Sequence, residues 1–116
     1  MIKKQNSSYI TFLNLVNAVD DLGIGKKLDA IEERLLDQVI LAFSQDHEIL
    51  VGDLLVLSHI GSQATLHGRV KNLVASGYIK PMTDASDGRR KILVPTKQAL
   101  KHYDKLSKLL AQAVAT

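Results

Sequence analysis

Residues 60–79 read Ile60-Gly61-Ser62-Gln63-Ala64-Thr65-Leu66-His67-Gly68-Arg69-Val70-Lys71-Asn72-Leu73-Val74-Ala75-Ser76-Gly77-Tyr78-Ile79. The joint Ile60-Gly61-Ser62 decides how the stretch is read. A glycine just past a helix is the usual left-handed stop, and serine is a preferred N-cap for the helix that follows. Two helices joined through only about three residues is the spacing a helix-turn-helix requires. In the second of them, predicted over 62–76, Leu66, Val70, Leu73 and Val74 fall on one face at helical spacing, which leaves Ala64, His67, Gly68, Lys71 and Asn72 on the others. Gly77 closes it.

Downstream, Ile79 to Thr83 and Arg89 to Val94 read as two strands around the turn-rich tip Asp84-Ala85-Ser86-Asp87-Gly88, because Asp-Gly favours a tight reversal. Pro95 requires the second strand to end there or to lie at an edge. Thr96 is placed to cap a last helix from Lys97 to about Val114. That helix carries Leu100, Tyr103, Leu106, Leu110 and Ala113 towards one side and Lys97, Lys101, Lys105 and Lys108 towards another. Upstream, Asp29 with Glu32 three residues on has the form of a capping box, opening a helix that runs to about Ser44 with Ile31, Leu35, Val39, Ala42 and Phe43 as its apolar stripe. Ile49 to Val51 could add a short strand, and Gly52 to His59 reads as a compact third helix. A first helix begins after Asn6-Ser7-Ser8, carries Tyr9, Phe12, Leu13, Val16 and Val19 at helical spacing, and stops at Leu22-Gly23-Ile24-Gly25.

The chain has 116 residues, 46% of them hydrophobic, enough for one modest core. A single domain over 1–116 is expected: an N-terminal helix and loop at 1–27, a core at 28–96 and a C-terminal helix at 97–116. With no cysteine there is neither a disulfide framework nor a thiolate metal site, and a reducing cytoplasm is the expected setting. Asn14, Asn17 and the Asp20-Asp21 pair interrupt the apolar stretch from Tyr9 to Val19, so it does not read as a signal peptide, and no run is long enough to span a membrane.

The net charge of +3 is unevenly spread: Met1 to Asp53 holds five bases against nine acids, and Leu54 to Thr116 ten bases against three. A polyanion is expected at the second half. His47, His59, His67 and His102 are not at metal-ligand spacing, and there is no phosphate loop or nucleophile elbow. Neither an enzyme nor a metal or cofactor site is expected.

Helix, helix, short turn, helix and a two-stranded ribbon with basic residues at its tip is the order of a winged helix-turn-helix. The fold class is therefore read as mainly α with a small β-hairpin (α+β), with flanking N- and C-terminal helices. A major groove about 12 Å wide admits one helix, and a ribbon beside it can reach phosphates or the adjoining minor groove. The expected function is sequence-specific binding of double-stranded DNA in transcription regulation, with the helix over 62–76 in the major groove and the wing over 79–94 on the backbone or minor groove. The residues expected at DNA are Ser62, Gln63, Ala64, Thr65, His67, Arg69, Lys71, Asp87, Arg89, Arg90 and Lys91. A bland reading stands beside this one: Arg69 and Lys71 can be ordinary solvated residues, His67 a neutral packing residue, and Asp87-Gly88 only a turn. The alternative function is a winged helix that meets a partner protein without specific DNA binding.

The segment Gly61 to Val70, the helix end Ser76-Gly77-Tyr78-Ile79 and the wing Asp84-Ala85-Ser86-Asp87-Gly88-Arg89 leading to Thr96 together resemble the MarR family of bacterial winged-helix transcription regulators. The last is similar to that family's D-x-x-D-x-R wing. The resemblance implies that Asp87 orients Arg89 and that Arg89 or Arg90 enters the minor groove. The chain departs from the pattern at Gly68, where a basic or polar residue is usual, and at Ala99, where a glycine is. The family also continues through a longer dimerisation region. A homodimer is therefore expected from helix one and the C-terminal helix alone, through Tyr9, Phe12, Leu13, Val16, Tyr103, Leu106 and Leu110. Ligands of such proteins usually lodge between the DNA-binding and dimerisation parts. A small-molecule effector is compatible with the resemblance, although no residue pattern indicates one.

Overall fold

A computed structural model describes residues 7–21 and 27–115 of the chain. The elements run α1 (Ser8–Asp21), α2 (Ala30–Ser44), α3 (Val51–Leu55), α4 (Gln63–Ala75), β1 (Ile79–Thr83), β2 (Lys91–Pro95) and α5 (Lys97–Ala115). Asn6 and the stop expected at Leu22-Gly23-Ile24-Gly25 lie outside the described residues. By internal contacts the chain groups into two units, 28–100 and 1–27 with 101–116.

Unit 28–100 is built on α2. Asp29 caps this helix as its spacing requires: its Oδ1 accepts the Glu32 N–H at 2.8 Å, and Glu32 Oε1 accepts the Asp29 N–H at 3.0 Å. This reciprocal pair satisfies two amides that no helical carbonyl can reach, which lets the Glu32 side chain lie buried. Leu35, Leu36 and Val39 of α2, Leu54 of α3, Leu66 and Leu73 of α4 and Ile79 of β1 are almost wholly enclosed. Each contributes roughly 1.5–3 kcal/mol by leaving water. Helices α2 and α3 both pack on α4, and the hairpin closes the layer, β1 against α4 and β2 against α2 and α3.

The hairpin is antiparallel, with Ile79 opposite Pro95 and Thr83 opposite Lys91. The strand expected over Ile49 to Val51 is reduced to one bridge, Leu50 with Ile92, supported by the Leu93 N–H donating to Ile49 O at 2.8 Å. Val51 already belongs to α3, because the Asp53 carboxylate accepts the Leu50 N–H at 2.8 Å and starts the helix there. Strand β2 begins at Lys91 and not at Arg89, since Arg90 N–H bonds to Asp87 O at 3.0 Å and keeps Arg89 in the turn. It ends at Pro95, which has no N–H to give to a further ladder.

The joint between α3 and α4 departs from its expected form. Helix α3 stops at Leu55, short of His59, so residues 56–62, seven in all, connect the two helices. The amides of Leu57 and Ile60 reach carbonyls three residues back, at 3.3 and 2.9 Å, which makes this a run of turns. The reason lies in the core: Leu54 and Ile60 are both buried, and in a continuing α-helix they would point about 120° apart. Turns bring both inward. Gly61 does not take the left-handed conformation expected of it. Gly77 does, at φ +82°, just past the end of α4.

The Gly77 turn is tied to the start of α5. Thr96 Oγ1 donates to Gly77 O at 2.5 Å and accepts the Ala99 N–H at 3.2 Å, so one hydroxyl caps α5 and pins the base of the hairpin. Gln98 Nε2 adds a bond to Ser76 O at 3.1 Å.

In the other unit, α1 opens with Ser7 Oγ accepting the Ile10 N–H at 3.2 Å. Tyr9, Ile10 and Leu13 are exposed, Phe12 and Val16 half-buried, and the Tyr9 and Phe12 rings lie 6.4 Å apart. In the part of α5 assigned to this unit, Tyr103 and Leu106 are half-buried, Ala113 is buried and Leu110 is exposed, while Lys101, Lys105 and Lys108 face solvent. Among the described residues no helix is long and apolar enough to cross a membrane.

Candidate nucleic-acid interface

Helix α4 is set by its buried row. Leu66, Val70 and Leu73 are inside, and the opposite surface must then face out. Val74, expected on the buried face, is 38% exposed, because it lies at the margin of that stripe, about 70° from the mean direction of Leu66, Val70 and Leu73. Gln63, Ala64, His67, Lys71 and Asn72 are exposed and Thr65 is half-buried. Ser62 caps the helix: its Oγ accepts the Thr65 N–H at 3.2 Å and donates to Thr65 Oγ1 at 3.0 Å. Gly68 sits mid-helix, and beyond its chain neighbours and the helix's own backbone no atom lies within 4 Å of where a Cβ would be. An apolar groove of about 310 Å³ runs between α4 and the hairpin, lined in part by Val51, Val74, Pro81 and Leu93, with His67 and Lys71.

Arg69 turns away from this surface. Its Nε lies 2.6 Å from Asp29 Oδ2, at an angle that makes it a charge contact and not a hydrogen bond. The Asp29 carboxylate therefore serves α2 with one oxygen and α4 with the other.

The hairpin tip is a mesh of polar contacts. Asp84 Oδ1 accepts both the N–H and the hydroxyl of Ser86, at 2.9 and 2.8 Å. Asp84 N–H donates to Arg90 O at 3.0 Å. The Ser86 backbone N–H and then its hydroxyl, with the Arg90 guanidinium adding to them against the cost of burial, hold the Asp84 carboxyl below the usual carboxylate range. Asp87 Oδ1 accepts the Arg89 N–H at 3.0 Å and lies 3.7 Å from Arg89 Nε. The Arg89 side chain is otherwise in solvent, 96% exposed.

The two basic residues that follow Arg89 are occupied. Arg90 Nη1 is 2.8 Å from Asp84 Oδ2, and its Nη2 is 3.2 Å from Glu48 Oε2. Lys91 Nζ donates to Thr83 Oγ1 at 2.6 Å across the end of the ladder. Of the side chains expected at DNA, the structure thus brings Gln63, Ala64, His67 and Lys71 out on α4 and Arg89 out on the tip, whereas Arg69, Arg90 and Lys91 hold partners within the fold. Sequence reasoning gave no role to Glu48 or to the Asp29–Arg69 pair. Both partnerships join residues about forty positions apart, and no local spacing signals them.

No protein-family model matches the chain, and no curated protein matches it. Among solved structures, the transcriptional regulator Tm0710 from Thermotoga maritima is similar over 92% of this chain and 69% of its own, at 21% identity and a TM-score of 0.66. S. aureus MepR, bound to ethidium bromide, is similar over 90% of this chain and 75% of its own, at 18% identity and a TM-score of 0.62. A MarR protein from Peptoclostridium difficile is similar over 98% of this chain and 74% of its own, at 21% identity and a TM-score of 0.53. At these identities the likeness is one of fold, and the chain has the winged-helix fold of MarR-type transcriptional regulators.

Proposed function

We propose that the chain binds double-stranded DNA as a transcription regulator. Helix α4 enters the major groove with Gln63, Ala64, Thr65, His67 and Lys71 towards base edges and phosphates. Ser62 caps the helix and is near the backbone. The wing lies along the backbone, and Arg89 reaches the adjoining minor groove, whose negative potential attracts a guanidinium. The observation that carries this reading is the pairing of an outward polar row on α4 with a cation on the hairpin tip that is 96% exposed. The resemblance in fold to regulators supports the same assignment. The protein acts in the cytoplasm, without catalysis and without a cofactor.

The bound form is a homodimer. Tyr9, Ile10, Leu13 and Leu110 leave apolar surface in water, which a second copy would cover, together with the half-buried Phe12, Val16, Tyr103 and Leu106. Two α4 helices would then meet half-sites about 34 Å apart. Titration of the protein onto selected duplexes at several salt concentrations tests the reading. Affinity should fall with salt at a slope of about −0.9 per phosphate contact, and sedimentation should show a dimer on the duplex. A flat salt response with no sequence preference would move the protein-interaction reading to first place.

A further inference from the structure

We propose that Arg90 is a positioning residue, whose guanidinium joins the carboxylates of Asp84 and Glu48 and so fixes the tip from which Arg89 projects. The proposal rests on the DNA-binding reading for its functional consequence, but the joint itself is a property of the free protein.

The geometry separates two adjacent arginines. Arg89 has one loose carboxylate contact at 3.7 Å and is 96% exposed. Arg90 is 43% exposed and uses both terminal nitrogens, Nη1 on Asp84 at 2.8 Å and Nη2 on Glu48 at 3.2 Å. Its two partners belong to different parts of the fold. Asp84 follows β1 at the tip, with its side chain only 10% exposed. Glu48 precedes α3, two residues before the Leu50 bridge to β2. Arg90 is also tied through its backbone, its O accepting Asp84 N–H and its N–H donating to Asp87 O, both at 3.0 Å.

In a crossing of this kind the planar fork of a guanidinium fixes the directions of both carboxylates, whereas an ammonium, a single centre on a flexible stem, fixes neither. The crossing matters at the tip because no residue from Asp84 to Lys91 is buried, so that packing does not fix it. A tip free to swing must be ordered when the duplex binds, and that ordering weakens binding. Arg90 meets this cost in advance. In the complex it therefore acts through Arg89 and not on phosphate.

Glu48→Gln decides between the two roles. If Arg90 contacted phosphate, removing an acid beside it would free the cation and raise affinity for DNA. If it positions the tip, the same change should weaken binding by roughly two- to fivefold, the range of an exposed ion pair, although the protein has become more positive. Arg90→Lys, which keeps the charge and loses the fork, should weaken binding alike and leave the salt slope unchanged.

Amide hydrogen exchange on the free proteins is measured alongside. In both variants the N–H groups of Asp84, Ser86 and Arg90 should exchange several-fold faster, with those of α4 unaltered. Unchanged tip exchange, or a gain in affinity for Glu48→Gln, overturns the proposal. Should the unmutated protein fail to bind any duplex, the DNA reading falls, and the exchange result alone still decides whether Arg90 holds the tip.

Discussion

Helix α4 and the hairpin tip present their surfaces by different means. In α4 the outward row is fixed from behind, by Leu66, Val70 and Leu73 in the core, and its direction follows from burial with no help from charge. At the tip nothing is buried, and position comes from carboxylates, a serine and an arginine. Burial is indifferent to salt and pH over ordinary ranges, whereas exposed ion pairs are screened by one and titrated by the other. The two halves of one candidate interface should therefore respond to different perturbations.

The largest expected effect lies on the buried side. Leu66→Ala or Leu73→Ala leaves a cavity under α4 and should cost about 2–5 kcal/mol of stability, read from the midpoint of urea unfolding. A loss under about 1 kcal/mol would mean that α4 is not held by its core row. Next comes Arg89→Ala. In the proposed complex it should cost on the order of 1–3 kcal/mol of binding and lower the salt slope by about one, while leaving the unfolding midpoint where it was. An equal fall in stability would erase the contrast.

The smallest effect is that of pH on the tip. A carboxyl held below its usual range stabilises the fold above its ordinary value and ceases to do so as pH falls through its lowered folded value. The Asp84 contacts should thus be intact at neutrality and loosen only below the ordinary Asp value of 3.8. The Ser86 amide resonance, followed by NMR in an acid titration, gives the check. Loosening near neutrality would assign control of the tip to some other group.

What was legible in the sequence was what local spacing encodes. Asp29 with Glu32 announced the start of α2, Ser62 the start of α4, and the period of Leu66, Val70 and Leu73 its inward face. Thr96 announced the start of α5, and Asp87-Gly88 the reversal between the strands. The end of α3 was not legible, because Ile60 leaves the helical path to enter the core beside Leu54, a tertiary demand that no propensity of Val56 to His59 records. In the site, charge and exposure picked out Lys71 and Arg89. The same criteria could not tell them from Arg69 and Arg90, whose partners Asp29 and Glu48 are brought near only by folding. A basic residue in such a helix or wing is ambiguous until its carboxylate neighbours are known.

Gly68 carries a consequence for engineering. With nothing beyond its chain neighbours and the helix's own backbone within 4 Å of its missing Cβ, alanine fits there without displacing a neighbour and should stabilise the helix by about 1 kcal/mol. The half-buried position is thus a place where stability can be added to α4 without touching its core row. The same vacancy leaves a shallow notch in the helix outline beside Ala64 and Lys71. Filling it step by step, with alanine, serine and then larger side chains, turns that notch into a gauge: the residue size at which duplex affinity first drops would measure how closely the helix backbone approaches what it binds.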